Sequence, residues 1–384
     1  MGGNSSDNRT LSDEIWQRDI TNMFTSAKMT RIPTIEPDFL LSVEYEKDSK
    51  RCFSYIFITK EGMIYSVSQI LPDIEFTTEL DCECVIDCAL LSEATFALIC
   101  DNKKVFIVEY SSLGFQIKEV LQDNANKIIP VNNTQFLILG CDLSLCLCDT
   151  TGMSSLIWKP LGTFEILSYS LIKSSIFAVI TNDSFFVGSA LIPNSPIDMI
   201  DLHGFSSLVS TKSGATFLLS SDKKGIESVN ISSGPIFSDR KKIAQLSNPI
   251  KKLVSYGQNT VLALMSSSIV AFTNDFKPRT VNFSGFDLYD VLYLRKHPFF
   301  VAFSSNGRII LCKLPESSKS DENPQILTTE LSDLHKSRII RTTTGEESSF
   351  ITLDENKCLI LWENLPNWWN APHFFDMFGE KPGN

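Results

Sequence analysis

The chain has 384 residues, of which 43% are hydrophobic and 21% charged, and its formal net charge is −11. That much apolar material excludes wholesale disorder, and the acidic balance argues against direct nucleic-acid binding, which needs clustered Lys and Arg. With no opening hydrophobic signal segment and no apolar run near the ~20 residues of a membrane span, the expectation is a cytoplasmic or nuclear protein with reduced cysteines.

The first 29 residues read as a polar segment followed by a short amphipathic helix over Ser12–Phe24, with Ile15, Trp16, Ile20, Met23 and Phe24 as its apolar residues. Gly2 with Ser6 matches the loose myristoylation pattern. No polybasic patch or neighbouring Cys supplies a second anchor, and a single acyl chain holds a protein to membrane only marginally.

From residue 30 to residue 363 one unit recurs: an apolar strand, a short polar turn and a second apolar strand. Its copies are Tyr55–Val67, Thr95–Val108, Gln135–Cys148, Ile176–Val187, Thr216–Val229, Thr260–Phe272, Phe299–Cys312 and Ser349–Trp362. The starts lie about 40 residues apart, the period of a propeller blade. The interval before the last copy is longer, and Pro315–Pro324 reads as an inserted loop.

Each interval holds a further strand before the hairpin, such as Val85–Leu90, Ile250–Ser255 or Arg338–Thr342, and one after it, such as Phe115–Val120. Four strands per repeat predict a single all-β β-propeller of seven or eight four-stranded blades. A lone blade cannot bury both of its faces, so a last blade shared between residues 30–50 and 325–363 is expected.

Cys82, Cys84 and Cys88, and likewise Cys146 and Cys148, follow strand alternation without the C-x-x-C pairs of a zinc site, and are read as small hydrophobes. The basic runs Arg240–Lys242 and Lys251–Lys252 fall between apolar strands and are read as solvent-facing charges. His203, His297, His335 and His373 lie far apart, without partners at metal-ligand spacing, and are read as loop residues. Neither a nucleophile elbow nor a phosphate-binding or dinucleotide loop occurs in the chain. No catalytic, cofactor or metal residues are therefore assigned, and the expected role is protein binding.

Residues 364–384 form an aromatic tail, with Trp368, Trp369, His373, Phe374, Phe375 and Phe378 as candidate partner-binding residues. Pro366 and Pro372 disfavour a long helix there. The alternative is that the tail packs on the propeller itself.

Ala89–Leu98 keeps the offsets and the Thr-x-Ala-Leu ending of the regulator of chromosome condensation repeat; Thr344-Gly345 with Ser348, and Trp362, match further positions. The chain resembles that family across the repeat region, although the motif histidines are missing. Within it the acidic form is similar to the fungal alpha-tubulin suppressor, or killer-toxin-insensitivity, proteins. That resemblance implies an adaptor supporting transfer RNA wobble uridine modification and diphthamide synthesis, and the wider family implies nucleotide exchange on a small GTPase. Leu359–Glu363 and Leu145–Asp149 resemble instead the strand ends of WD repeats, without a Gly-His signature. That second resemblance implies a scaffold subunit of a nuclear pore or chromatin complex.

Overall fold

A computed structural model describes residues 28–362 apart from short segments, the longest of them 314–326. The expected helix over 12–24, the insert over 315–324 and the aromatic tail lie outside the described residues. Among the described residues every regular element is a strand, and the strands form eight four-stranded sheets. The chain is an all-β, eight-bladed β-propeller, and the choice between seven and eight blades falls to eight.

Blade one consists of Phe39–Lys47, Lys50–Ile58, Met63–Ser68 and Ile74–Glu79 in chain order. Blade two is Val85–Leu90, Thr95–Cys100, Lys104–Ser111 and Gly114–Leu121; blade three is Ala125–Pro130, Gln135–Gly140, Leu145–Asp149 and Ser154–Trp158. Blade four is Ile166–Ile172, Ile176–Thr181, Ser184–Ser189 and Asp198–Asp201; blade five is Phe205–Ser210, Thr216–Ser220, Gly225–Ile231 and Phe237–Gln245. Blade six is Lys252–Tyr256, Thr260–Leu264, Ser268–Phe272 and Pro278–Asn282; blade seven is Leu288–Tyr293, Phe299–Ser304, Ile309–Lys313 and Leu327–Glu330. In every blade the recurring hairpin supplies the second and third strands.

Blade eight takes Ile339–Thr344, Phe350–Asp354 and Cys358–Trp362 from the end of the chain and its outer strand, Lys28–Arg31, from the beginning. Lys28 pairs with Leu361 and Arg31 with Cys358. The shared blade was expected, and its N-terminal strand straddles the start of the expected 30–50 window, most of which is taken by Phe39–Lys47, the strand that opens blade one.

Two compact units are defined. The larger, Glu36–Met265 with Ile269–Pro278, holds blades one to five and most of six; the smaller, within Met1–Ile35, Ser266–Ser268 and Arg279–Asn384, holds blades seven and eight.

In the larger unit the inner strands lie side by side, for example Val85–Leu90 beside Ala125–Pro130. The second strands carry apolar residues on both faces, and alternate residues pack toward opposite neighbours. Phe96, Leu98 and Cys100 join a cluster with Ile56, Ile58 and Ile64 of blade one. Ala97 and Ile99 join one with Phe136 and Ile138 of blade three. In blade three itself, Leu137 and Leu139 turn toward Phe177 and Val179 of blade four. A fully buried side chain of this size contributes about 1.5–3 kcal/mol, so each blade face is stabilised only by the next blade.

Burial drops sharply outward. Ile176–Thr181 is buried throughout, whereas the outer strands Ile74–Glu79 and Ser154–Trp158 are largely exposed. Cys146 and Cys148 are buried strand residues; Cys82, Cys84 and Cys88 are half-buried, Cys82 packing against the core of blades one and two. Burial pushes the Cys148 thiol up to about 12.

The turn joining the second and third strands repeats in several blades. In blade one Gly62 N–H donates to the Thr59 carbonyl at 3.1 Å with φ 87°, and in blade seven Gly307 N–H donates to Ser304 at 3.0 Å with φ 84°. A Cβ at Gly307 would stand 2.5 Å from the Ser337 carbonyl oxygen, so glycine is required there by both conformation and space.

The pairing of Lys28–Arg31 with Cys358–Trp362 covers the edge of a fully buried strand. Deleting residues 1–31 should cost roughly 2–4 kcal/mol through lost cross-strand hydrogen bonds and expose an apolar edge prone to self-pairing. Thermal unfolding should show a lowered melting temperature, and light scattering should show concentration-dependent association.

Candidate functional site

The most ordered polar constellation lies inside blade eight. His335 precedes the inner strand, Thr352 sits mid-way along the second strand and Asp354 ends it, and Trp362 ends the third; all four are buried. His335 Nδ1 is 3.0 Å from Asp354 Oδ2, and its Nε2 is 2.6 Å from Thr352 Oγ1. Trp362 Nε1–H donates to the same Thr352 oxygen at 2.8 Å.

A carboxylate only accepts, so Nδ1 carries the proton toward Asp354 and Nε2 accepts from the Thr352 hydroxyl. The hydroxyl in turn accepts from Trp362, which satisfies every member of the chain. Asp354 Oδ1 accepts the backbone N–H groups of Asn356 at 3.0 Å and Cys358 at 2.8 Å, so the network also fixes the turn between the strands. Trp362 stacks on Phe350 with centroids 5.5 Å apart and rings 6° from parallel.

His335 does lie in the loop before the inner strand, but it is buried and bonded through both ring nitrogens rather than an ordinary loop residue. The ligand atoms of His335, Asp354 and Cys358 lie within 4.8 Å of one another. Both ring nitrogens and both Asp354 oxygens are already committed to hydrogen bonds inside the blade, so the donor set fits a structural clamp rather than a metal site. Histidine and tryptophan stand here as in the G-H…W-D signature of WD repeats, with Leu334 for its glycine and Glu363 for its aspartate. The signal was present in the chain, but the missing glycine hid it.

Between blades of the larger unit, polar links recur at one position of the inner strand, just after a bulge. Asp87 Oδ2 accepts the Ile128 N–H at 2.8 Å, joining blades two and three, and Ser168 Oγ accepts the Leu208 N–H at 3.1 Å, joining four and five. His203, the other described histidine, is exposed, 3.9 Å from Asp183. His297 lies outside the described residues, as do Trp368, Trp369, His373, Phe374, Phe375 and Phe378, the residues proposed from sequence for partner binding.

A surface that sequence reasoning missed lies at the turns between third and outer strands. Leu113 in blade two, Met153 in blade three and Ile192 in blade four are 87%, 71% and 61% exposed, and Leu191 joins them. These turns read Ser111-Ser112-Leu113-Gly114, Thr150-Thr151-Gly152-Met153-Ser154 and Ser189-Ala190-Leu191-Ile192, without a charge among them. Antiparallel pairing puts all three at the same end of their blades. The result is a row of aliphatic tips crossing three consecutive blades. Each tip is one residue in a turn, which leaves no periodic trace in the sequence.

No family model matches the chain, and no curated protein matches it in sequence. Solved structures do match. The C-terminal WD40 domain of Sif2 superposes with a TM-score of 0.62 at 10% identity, over 87% of this chain and 97% of that one. The computationally designed Ika8 protein matches with a TM-score of 0.61 at 12% identity, over 84% and 98%. BamB from Moraxella catarrhalis matches at 0.56 and 7%, over 88% and 100%. At these identities the likeness establishes the fold, a WD40-like β-propeller.

Two measurements test the clamp. Thr352→Val strands the His335 and Trp362 nitrogens and should cost about 2–3 kcal/mol, Trp362→Phe a similar amount. The double variant should be more stable than their sum implies by about 1 kcal/mol, because both remove one hydrogen bond. Burial lowers the His335 pKa below its ordinary 6.5. The unfolded chain therefore takes up this proton first. The contribution is complete above about pH 6.5 and declines as the pH falls from there through the lowered value. Between pH 7.5 and 5.5 the melting temperature of the wild type should drop further than that of His335→Asn.

Proposed function

We propose that this protein is a non-catalytic, protein-binding scaffold of the cytoplasm or nucleus, engaging its partner through the row of aliphatic turn tips, Leu113, Met153, Leu191 and Ile192, with the C-terminal aromatic segment as a second anchor. The row carries the reading. Aliphatic side chains left largely in water gain from association and contribute little to folding. The aromatic segment supports it because it follows directly after Trp362, the end of a clamped strand.

Among the roles implied by family resemblance, the buried histidine-to-tryptophan chain of blade eight favours a WD-repeat-like scaffold, as in pore or chromatin assemblies. The adaptor of wobble uridine modification and diphthamide synthesis, and the exchange factor for a small GTPase, follow from the chromosome-condensation resemblance alone.

Affinity purification with mass spectrometry, using three baits, tests this. The wild type should recover subunits of a large assembly. Leu113→Ser/Met153→Ser/Ile192→Ser should melt within about 2 °C of the wild type yet lose them. A truncation after Asn364 should also melt normally and bind more weakly. Unchanged partners with all three baits would refute both surfaces. Recovery of Elongator or diphthamide-pathway proteins, or of a nucleotide-free GTPase, would transfer the reading to the chromosome-condensation family.

A further inference from the structure

We infer that the outer edge of blade three, along Ser154–Leu156, takes up a short extended segment of a partner protein as a fifth strand, and that this segment is uncharged where it pairs and basic at its flanks. The inference rests on the scaffold reading, since Met153, one of the aliphatic tips, leads directly into this strand.

Ser154–Trp158 is the last strand of its sheet, and among the described residues no further strand pairs with it. The hairpin before it decides which backbone groups face outward. The Asp149 N–H donates to the Met153 carbonyl at 3.0 Å, which makes these two a hydrogen-bonded pair. Such pairs alternate along an antiparallel ladder, so Ser155, opposite Leu147, turns both of its backbone groups inward. Ser154 and Leu156 turn theirs outward, where the N–H and C=O of each are placed to bond an added strand. The register shifts at Ile157, which ends the regular edge and limits the fit to a short segment.

An open edge invites pairing with other chains, and folds discourage it with charged residues or proline. Among the described residues, every other outer strand carries charge, from Glu75 and Glu79 in blade one and Lys118 and Glu119 in blade two to Lys28 and Arg31 in blade eight. The outer strand of blade three carries none, and no charge occurs from Thr150 to Trp158. Lys118 and Lys159, which flank it, are engaged with the Thr151 carbonyl and with Asp142. Met153 and Leu156, 71% and 53% exposed, set aliphatic side chains beside the open backbone groups.

Charge selects the occupant. With a formal net charge of −11, two copies of this chain repel each other, whereas a segment with basic flanks is drawn in. At the pairing positions a charge would be desolvated against Leu156 without a counter-ion, so those positions are uncharged. Strand addition takes its affinity from main-chain hydrogen bonds and its selectivity from alternate side chains, which suits a segment alternating small aliphatic and hydroxyl residues.

Fluorescence anisotropy on the full chain at about 50 mM salt, with the labelled peptide Lys-Thr-Val-Thr-Val-Thr-Lys, tests the proposal. This peptide should bind and slow amide exchange over Met153–Trp158. Its Glu-flanked counterpart should bind more weakly, and Lys-Thr-Val-Pro-Val-Thr-Lys, which lacks the central N–H, should not bind. Ser154→Pro removes an outward N–H without touching the ladder, and Leu156→Lys installs the kind of charge that other edges carry. Each should melt within about 2 °C of the wild type and weaken peptide binding about tenfold. Leu113→Ser/Ile192→Ser, which alters tips in other blades, should bind the peptide as the wild type does. That pattern would uphold the edge even if the tip variant kept every partner in the purification. Loss of peptide binding in the tip variant with retention in Ser154→Pro would leave the tip row standing and overturn the edge. So would a peptide that does not bind, equal binding of the proline-containing peptide, or tighter binding of the Glu-flanked one. A wild-type dimer in light scattering that Ser154→Pro makes monomeric would give the edge to a second copy and overturn the proposal as well.

Discussion

The second and third strands of each blade are apolar on both faces, and the rest of the structure follows from that. A strand such as Phe350–Asp354 or Ser268–Phe272, buried along its whole length, cannot be covered by its own sheet. It needs a sheet on either side. In the larger unit each second strand divides its residues between two neighbours: Phe136 and Ile138 pack toward blade two, Leu137 and Leu139 toward blade four. A blade is therefore stable only in series, and the pairing of Lys28–Arg31 with Cys358–Trp362 brings both ends of the chain into the same series.

Where packing fixes the centre, polar groups have specialised tasks. The Asp87 and Ser168 side chains stitch inner strands of successive blades, and the His335–Asp354–Thr352–Trp362 chain locks the turn and the last strand of blade eight. A buried polar chain of this kind is stabilising only when fully satisfied, which is why a single proton on Nδ1 of His335 sets the direction of every hydrogen bond in it. The outer strands and turns bear little of the packing. They are free to carry other chemistry, such as the aliphatic tips at one end of blades two to four.

How legible each feature was in sequence depended on how it is written there. The second and third strands were legible because burial on both faces leaves near-continuous apolar runs such as Thr95–Cys100 and Ile176–Thr181, punctuated by a polar turn at regular spacing. Inner strands were legible to within a residue or two, as with Val85–Leu90. The N-terminal strand of blade eight was bounded only loosely because Lys-Met-Thr-Arg has no strand pattern of its own; its partner defines it. His335 was read as an ordinary loop residue because Leu334 stands where the G-H pair has its glycine, and its hydrogen-bond partners Thr352 and Asp354 lie on a strand distant in sequence.

Burial concentrated in the central strands, with the outer strands largely exposed, implies an order of local opening that native-state hydrogen exchange reads directly. Followed by mass spectrometry, amides of Thr95–Ser111, Gln135–Asp149, Ile176–Ser189 and Phe350–Trp362 should be the last to exchange. Those of the outer strands Gly114–Leu121, Ser154–Trp158 and Phe237–Gln245 should exchange markedly earlier. Outer strands protected as strongly as the central hairpins, or hairpins that exchange early and independently of one another, would contradict the account.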